Sequence, residues 1–221
     1  MSKLYDVTPG STVVEVLTDG KLDLDKNVGF IFGTERAQDG SWVSKPPKNW
    51  ADAARRCVYK ILSHSFKNWD RVSELRSQID YMIDEMGPES TKQISQNVAA
   101  EYWTIFGSIG AAAGIKNDAF PDILKNDSQV EELTNYITEI LVRKQRDYGH
   151  TNIARFGRAG LLVRCHDKVA RLENLLMSGR LPENETVVDN FIDVIGYAAI
   201  GIMWENEWFL LELPAAETEK K

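Results

Sequence analysis

Glu185, Asp189, Asp193 and Tyr197 recur every fourth residue near the end of the chain and carry its clearest chemical pattern. On a helix, four steps advance by only about 40°, so such side chains form one slowly drifting stripe. Carboxylates stacked at that spacing repel one another unless a cation lies close by. A hard divalent ion such as Mg²⁺, held by carboxylate oxygens and water, would supply that cation. A helix dipole alone would favour Glu185 and Asp189 near an N-terminus, but Asp193 lies too deep for that account. Val188, Phe191, Ile192, Ile195, Ala199 and Ile202 form an adjoining apolar stripe, which sets the acids at the border of a core.

A second cluster precedes it. Arg164, Asp167, Lys168 and Arg171 fit within an arc of roughly 100° on one helix. One acid among three cations suits a phosphate-plus-metal site, with Asp167 joining the ion and the cations neutralising phosphate oxygens. The same residues serve equally as salt-bridge partners of the acidic stripe, worth little where exposed. Further upstream, Arg143, Lys144, Arg146, Asp147, Tyr148, Gly149, His150 and Asn152 gather at a helix break. Tyr148 suits stacking on a base, and Asn152 suits hydrogen bonding to its edge. A basic last turn of an ordinary helix would look alike. His150 and His166 read as structural or surface histidines.

Helices must position these groups. Three- and four-residue apolar spacing predicts helices over residues 51–65, 68–86, 90–113, 127–146, 153–177 and 184–211, with Ser90 as a cap. Gly87-Pro88 stops the second, with the glycine suited to a C-terminal cap. The small residues 107–114 suit close helix packing or a helix end. A phosphate loop is not indicated there, because no G-K-[ST] follows and no strand precedes. Residues 1–47 differ, with β-rich runs at 13–17 and 28–32 and a turn at Thr18-Asp19-Gly20. The expected fold is mainly α, a helical bundle-like array with a small β-rich N-terminal segment. Residues 1–47 form that segment or arm, 48–213 the helical domain with its site in 130–205, and 214–221 a disordered tail.

The 221 residues carry a net charge of -7, which argues against a protein that coats nucleic acid. An acidic protein still binds one small polyphosphate through a few local cations and a metal. Cys57 and Cys165 have no C-x-x-C spacing, so neither a zinc site nor a redox pair is indicated. The N-terminus lacks a signal pattern and no run of eighteen apolar residues occurs, so a cytoplasmic protein without membrane partners is expected.

K-Q-R-D-Y-G at 144–149, R-C-H-D-K-V-A-R-L-E-N-L at 164–175 and E-T-V-V-D-N-F-I-D-V-I-G-Y-A at 185–198 together resemble the nucleotide modification associated domain of phage and bacterial proteins. That domain is distantly similar to the MazG-like and dimeric dUTPase group of all-α nucleoside triphosphate pyrophosphohydrolases. The resemblance implies a Mg²⁺-dependent nucleotide pyrophosphohydrolase or related nucleotide-processing enzyme, in the host cytoplasm if phage-encoded. It implies metal ligands at Asp167, Glu185, Asp189 and Asp193, and catalytic roles for Asp167, Lys168, Asp189 and Asp193. Arg164, Lys168 and Arg171 would hold phosphates, with Tyr148, Asn152 and Tyr197 against the rest of a nucleotide or modified nucleotide. A homodimer is also implied, for which Trp204, Trp208, Phe209 and Leu210 would supply an apolar face, although core packing explains them equally well. The Glu-Glu-x-x-Glu signature of the pyrophosphohydrolases is absent, since Leu133, Thr134 and Asn135 follow Glu131-Glu132. A non-catalytic nucleotide-binding or sequestering protein, such as a phage anti-defence factor, and a purely structural helical interaction protein are the alternatives.

Overall fold

The computed structural model describes residues 34–36, 42–64, 71–120, 127–179 and 184–215. It is mainly α. The chain divides into two compact units, Met1–Lys45 and Pro46–Lys221. The described part of the first is a pair of short antiparallel strands, β1 (Thr34–Arg36) and β2 (Trp42–Ser44), in the register Glu35 to Val43. The β-rich runs expected at 13–17 and 28–32 lie outside the described residues, as does most of the tail expected at 214–221.

The second unit contains seven described helices: α1 (Trp50–Ser63), α2 (Val72–Met86), α3 (Gln96–Lys116), α4 (Asp127–Tyr148), α5 (Thr151–Ala154), α6 (Gly157–Ser178) and α7 (Val187–Glu205). Helix α7 is the axis of this unit and packs against α1, α3, α4 and α6. Its residues from Asn190 to Gly196 are all buried. The acidic and apolar stripes read from the sequence are therefore not two faces of a surface helix, because neighbours cover α7 nearly all round. By length and composition α7 is apolar enough to cross a membrane, yet here it is the core helix.

Close approach makes this arrangement possible. A Cβ at Gly107 of α3 would meet the Ala198 side chain at 2.8 Å, and one at Gly110 would meet Val194 at 2.5 Å. The small residues of α3 thus serve helix packing inside a continuous helix.

Several helix ends differ from the sequence reading. Ser95, not Ser90, caps α3, accepting from the Val98 amide, while the Ser90 hydroxyl donates to the Glu85 carbonyl. Gly87 ends α2 with φ near -74° and so is no left-handed cap; a Cβ there would meet the Ile83 carbonyl oxygen. The helix expected over 153–177 is two, α5 and α6. The break falls at Arg155-Phe156, and α6 starts at Gly157, whose φ of 52° is left-handed and whose Cβ position lies 2.7 Å from the Trp204 ring. The last helix begins at Val187 instead of 184, because Thr186 and Asp189 close a capping box.

The segment after α7 folds back on the helices. Phe209 is 1 % exposed, with its ring against Trp50, Trp204 and His150. The His150 imidazole also contacts the Leu211 carbonyl at 3.2 Å, a structural role for that histidine. Of the aromatic and aliphatic group expected to offer an apolar face, Leu210 alone is exposed.

Candidate functional site

The last two turns of α4 end at Gly149, whose φ of 65° falls where glycine is favoured and whose Cβ position meets nothing. The glycine is there for its backbone angle, which turns the chain into α5 and brings Asn152 and Ile153 back beside Tyr148. A cavity of about 280 Å³ opens at this corner, between α4, α6 and α7. Leu141, Ile153 and Ile200 form its apolar wall, and Gly196 lets α4 approach α7 so closely that a Cβ there would meet Leu141 at 2.8 Å. Lys144, Arg164 and Lys168 bring cations to it; Glu185 and Asp193 bring anions; Tyr148, Asn152, Tyr197 and Gln145 complete the lining.

Asp193 organises the charges. It is 9 % exposed on α7, and its two oxygens pair with Lys144 of α4 and with Lys168 of α6, the latter at 2.7 Å. Lys168 also reaches Glu185 at 2.8 Å, and Arg171 reaches the same Glu185 oxygen at 3.1 Å. Burial works against the charge on Lys168, but hydrogen bonds to Asp193 and Glu185 outweigh it and raise its pKa. One carboxylate thus ties three helices together, as a mostly buried carboxylate must if its desolvation is to be offset.

Arg164 differs from these lysines. Its guanidinium donates to Asn152 Oδ1 at 2.7 Å, and it has no carboxylate partner among the described residues. A neutral amide fixes the direction of the guanidinium and leaves its charge uncompensated, which is the state suited to receiving an anion. Asn152 was expected to meet a base edge; its oxygen instead positions Arg164.

Gln145 was missed by the sequence reading. It is 5 % exposed, lines the cavity, and its Nε2 has no hydrogen-bond partner among the described residues. A buried amide left unmade costs about 1–3 kcal/mol. The signal was present: Leu133, Ile137 and Leu141 are buried at intervals of four along α4, and Gln145 is the next position of that series.

The acids expected to share Mg²⁺ do not converge. Asp167 is exposed on α6 and does not line the cavity. Asp189 is occupied as a cap: its carboxylate accepts from the Thr186 hydroxyl at 2.7 Å and amide at 2.9 Å, and the Thr186 hydrogen bonds depress its pKa. Glu185 precedes α7 instead of standing on it, so the four-residue stripe is broken at its first member. Only Glu185 and Asp193 of the four line the cavity, and both carry cationic side chains. Among the described residues no three His, Cys, Asp or Glu side chains form a metal-binding group. This donor set does not fit a resident Mg²⁺, which needs several free oxygens around one point. The salt-bridge arrangement of the same residues is what the fold adopts.

The remaining expected residues fall as follows. Tyr148 stands at the rim, 65 % exposed, and Tyr197 is half-buried in the wall. Arg171 lies outside the lining and acts on Glu185, also donating to its carbonyl at 3.3 Å. The two cysteines are buried and far from thiolate chemistry: burial pushes Cys57 up to about 12 and Cys165 well above its ordinary value.

What the fold and cavity define is a helical domain with a small amphipathic pocket, cationic on one side and apolar on the other. No family model, curated protein or solved structure matches the chain.

Proposed function

We propose that this chain binds a nucleotide, or a closely related phosphate ester, in the cavity between α4, α6 and α7. The observation that carries the reading is Arg164, a cavity-lining cation held by a neutral amide and lacking a carboxylate partner among the described residues. Phosphate oxygens would take its free donors, with Lys168 and Lys144 beside it. A flat ring would lie along Leu141, Ile153 and Ile200, with Tyr148 at the rim. The volume of about 280 Å³ lies just below the usual range for small-molecule sites, which limits the occupant to one small ligand. The resemblance of residues 144–198 to the nucleotide modification associated domain supports the same ligand class.

Hydrolysis with Mg²⁺ is the other half of what that resemblance implies, and it needs acids that gather. Because Asp167 lies outside the cavity lining and Asp189 is occupied by Thr186, binding without turnover is the better supported reading. The test is a panel of ribo- and deoxynucleoside mono- and triphosphates, with and without Mg²⁺, followed by calorimetry, thermal unfolding and pyrophosphate release. A ligand at a hundred times its Kd should stabilise the fold by about 2.7 kcal/mol. Arg164→Gln should weaken binding at least tenfold. Absence of any nucleotide-dependent stabilisation, or unchanged affinity in Arg164→Gln, would overturn the reading, and rapid Mg²⁺-dependent release of pyrophosphate would replace it with the enzymatic one.

A further inference from the structure

We propose that Gln145 is a specificity-determining residue of this cavity, recognising the amide-like edge of a nucleobase; the inference rests on the nucleotide reading above. Three observations meet at this side chain. It lines the cavity, it is 5 % exposed, and its amide nitrogen has no hydrogen-bond partner among the described residues. Purely structural glutamines in a core normally have their amide groups paired, because water is not there to replace a missing partner.

The surroundings say what kind of partner is missing. Gln145 is one helical turn from both Leu141 and Tyr148 on α4, so it stands between the apolar wall and the aromatic rim. The cations are otherwise placed: Arg164, with no carboxylate partner among the described residues, comes from α6, and Lys144 and Lys168 are both held by Asp193. The ligand's phosphate is drawn toward those charges, and its flat end lies along the apolar wall beside Gln145. A carboxamide carries an acceptor oxygen next to a two-proton donor, and the torsion bearing it is broad and two-fold. It therefore matches a heterocycle edge in which a hydrogen-bond acceptor adjoins a donor, as on every common nucleobase. A bare sugar phosphate or an inorganic phosphate leaves the amide unmet.

The experiment compares a nucleoside monophosphate series with ribose 5-phosphate and inorganic pyrophosphate, on the wild-type chain, Gln145→Met and Arg164→Gln. Methionine matches glutamine closely in length and has no amide to satisfy. Wild type should prefer its best nucleotide over ribose 5-phosphate by tenfold or more. Gln145→Met should erase most of that preference, leave affinity for ribose 5-phosphate and pyrophosphate within about twofold, and hold or raise the melting temperature. Arg164→Gln should weaken all phosphate ligands together. Undiminished base preference in Gln145→Met overturns the proposal while leaving the nucleotide reading intact. A lowered melting temperature with unchanged preference assigns Gln145 a structural role instead. Failure of the wild type to bind any of these ligands overturns both.

Discussion

The Arg164 guanidinium and the Asn152 side-chain oxygen lie 2.7 Å apart, across the turn that joins α5 to α6. This contact joins the helix break at residues 149–156 to the cationic face of α6, so the local backbone aims the charge. Asn152→Ala removes the orienting acceptor and keeps the charge. A hydrogen bond to a charged group contributes about 1.5–3 kcal/mol. Nucleotide affinity in Asn152→Ala should fall by about tenfold, less than in Arg164→Gln, and calorimetry of the two variants side by side checks the order.

Asp193 separates the two functional readings. Asp193→Asn takes the carboxylate from Lys144 and Lys168 and leaves both cations beside the cavity. The domain should lose up to about 3 kcal/mol, because breaking a mostly buried pair strands its partner charge. Affinity for nucleotide triphosphates should nevertheless hold or rise, since a competing anion has gone. Titration in the presence and absence of Mg²⁺ reads this directly, and a loss of binding seen only with Mg²⁺ would favour a metal-centred site.

Farther along α7, the Arg158 side chain holds both oxygens of Glu205, at 2.8 and 2.6 Å, and the Trp103 indole donates to the same carboxylate at 3.4 Å. Glu205 is 3 % exposed, and its hydrogen bond raises the Arg158 pKa. Glu205→Ala should destabilise the domain by about 1–3 kcal/mol, because it takes the acceptor from the partly exposed Arg158 guanidinium and from the buried Trp103 indole. Urea unfolding measures it, while nucleotide affinity in the folded fraction should be unchanged.

The Thr186–Asp189 capping box makes α7 sensitive to acid. Thr186 hydrogen bonds hold the Asp189 carboxyl below its ordinary 3.8, so folding favours the ionised form. That contribution is fully present above 3.8 and disappears as the pH falls through the lower folded value. Asp189→Asn should therefore be less stable than wild type at neutral pH, with the gap closing as the pH falls below the ordinary 3.8. Thermal unfolding across pH 2–7 follows the convergence.

Gly149 offers a stability test that leaves packing untouched. Its Cβ position is empty, so Gly149→Ala costs only the left-handed backbone, about 1–2 kcal/mol. A drop in melting temperature of several degrees is expected. Nucleotide affinity should fall too if the turn is what aims Asn152 at Arg164.

Helical periodicity made most of the described fold legible, because α1, α2 and α4 each bury one face and expose the other. Their ends were less so. Ser90 and Ser95 are both plausible caps by type, but the helix starts only after Ser95, and the Ser90 hydroxyl joins the Glu85 carbonyl to the Lys92 amide instead. The need for glycine at 157 was hidden because the Trp204 ring, which leaves no room there for a Cβ, is distant in sequence.

From residue types and spacing alone come the mainly α class, the gathering of charge on α6 and α7, and the importance of the turn at Gly149. These follow from local rules of period, propensity and repulsion, which act over a few residues. The pairing of those charges is not local. Asp193 looks like a metal ligand among acids spaced by four, but α4 and α6 bring Lys144 and Lys168 onto its two oxygens. Asp189 looks equivalent to Asp193, yet the start of α7 gives it to Thr186. Tertiary structure decided which acid met which cation, left Arg164 without an acid among the described residues, and enclosed Gln145, because Coulomb attraction and desolvation depend on distance in space.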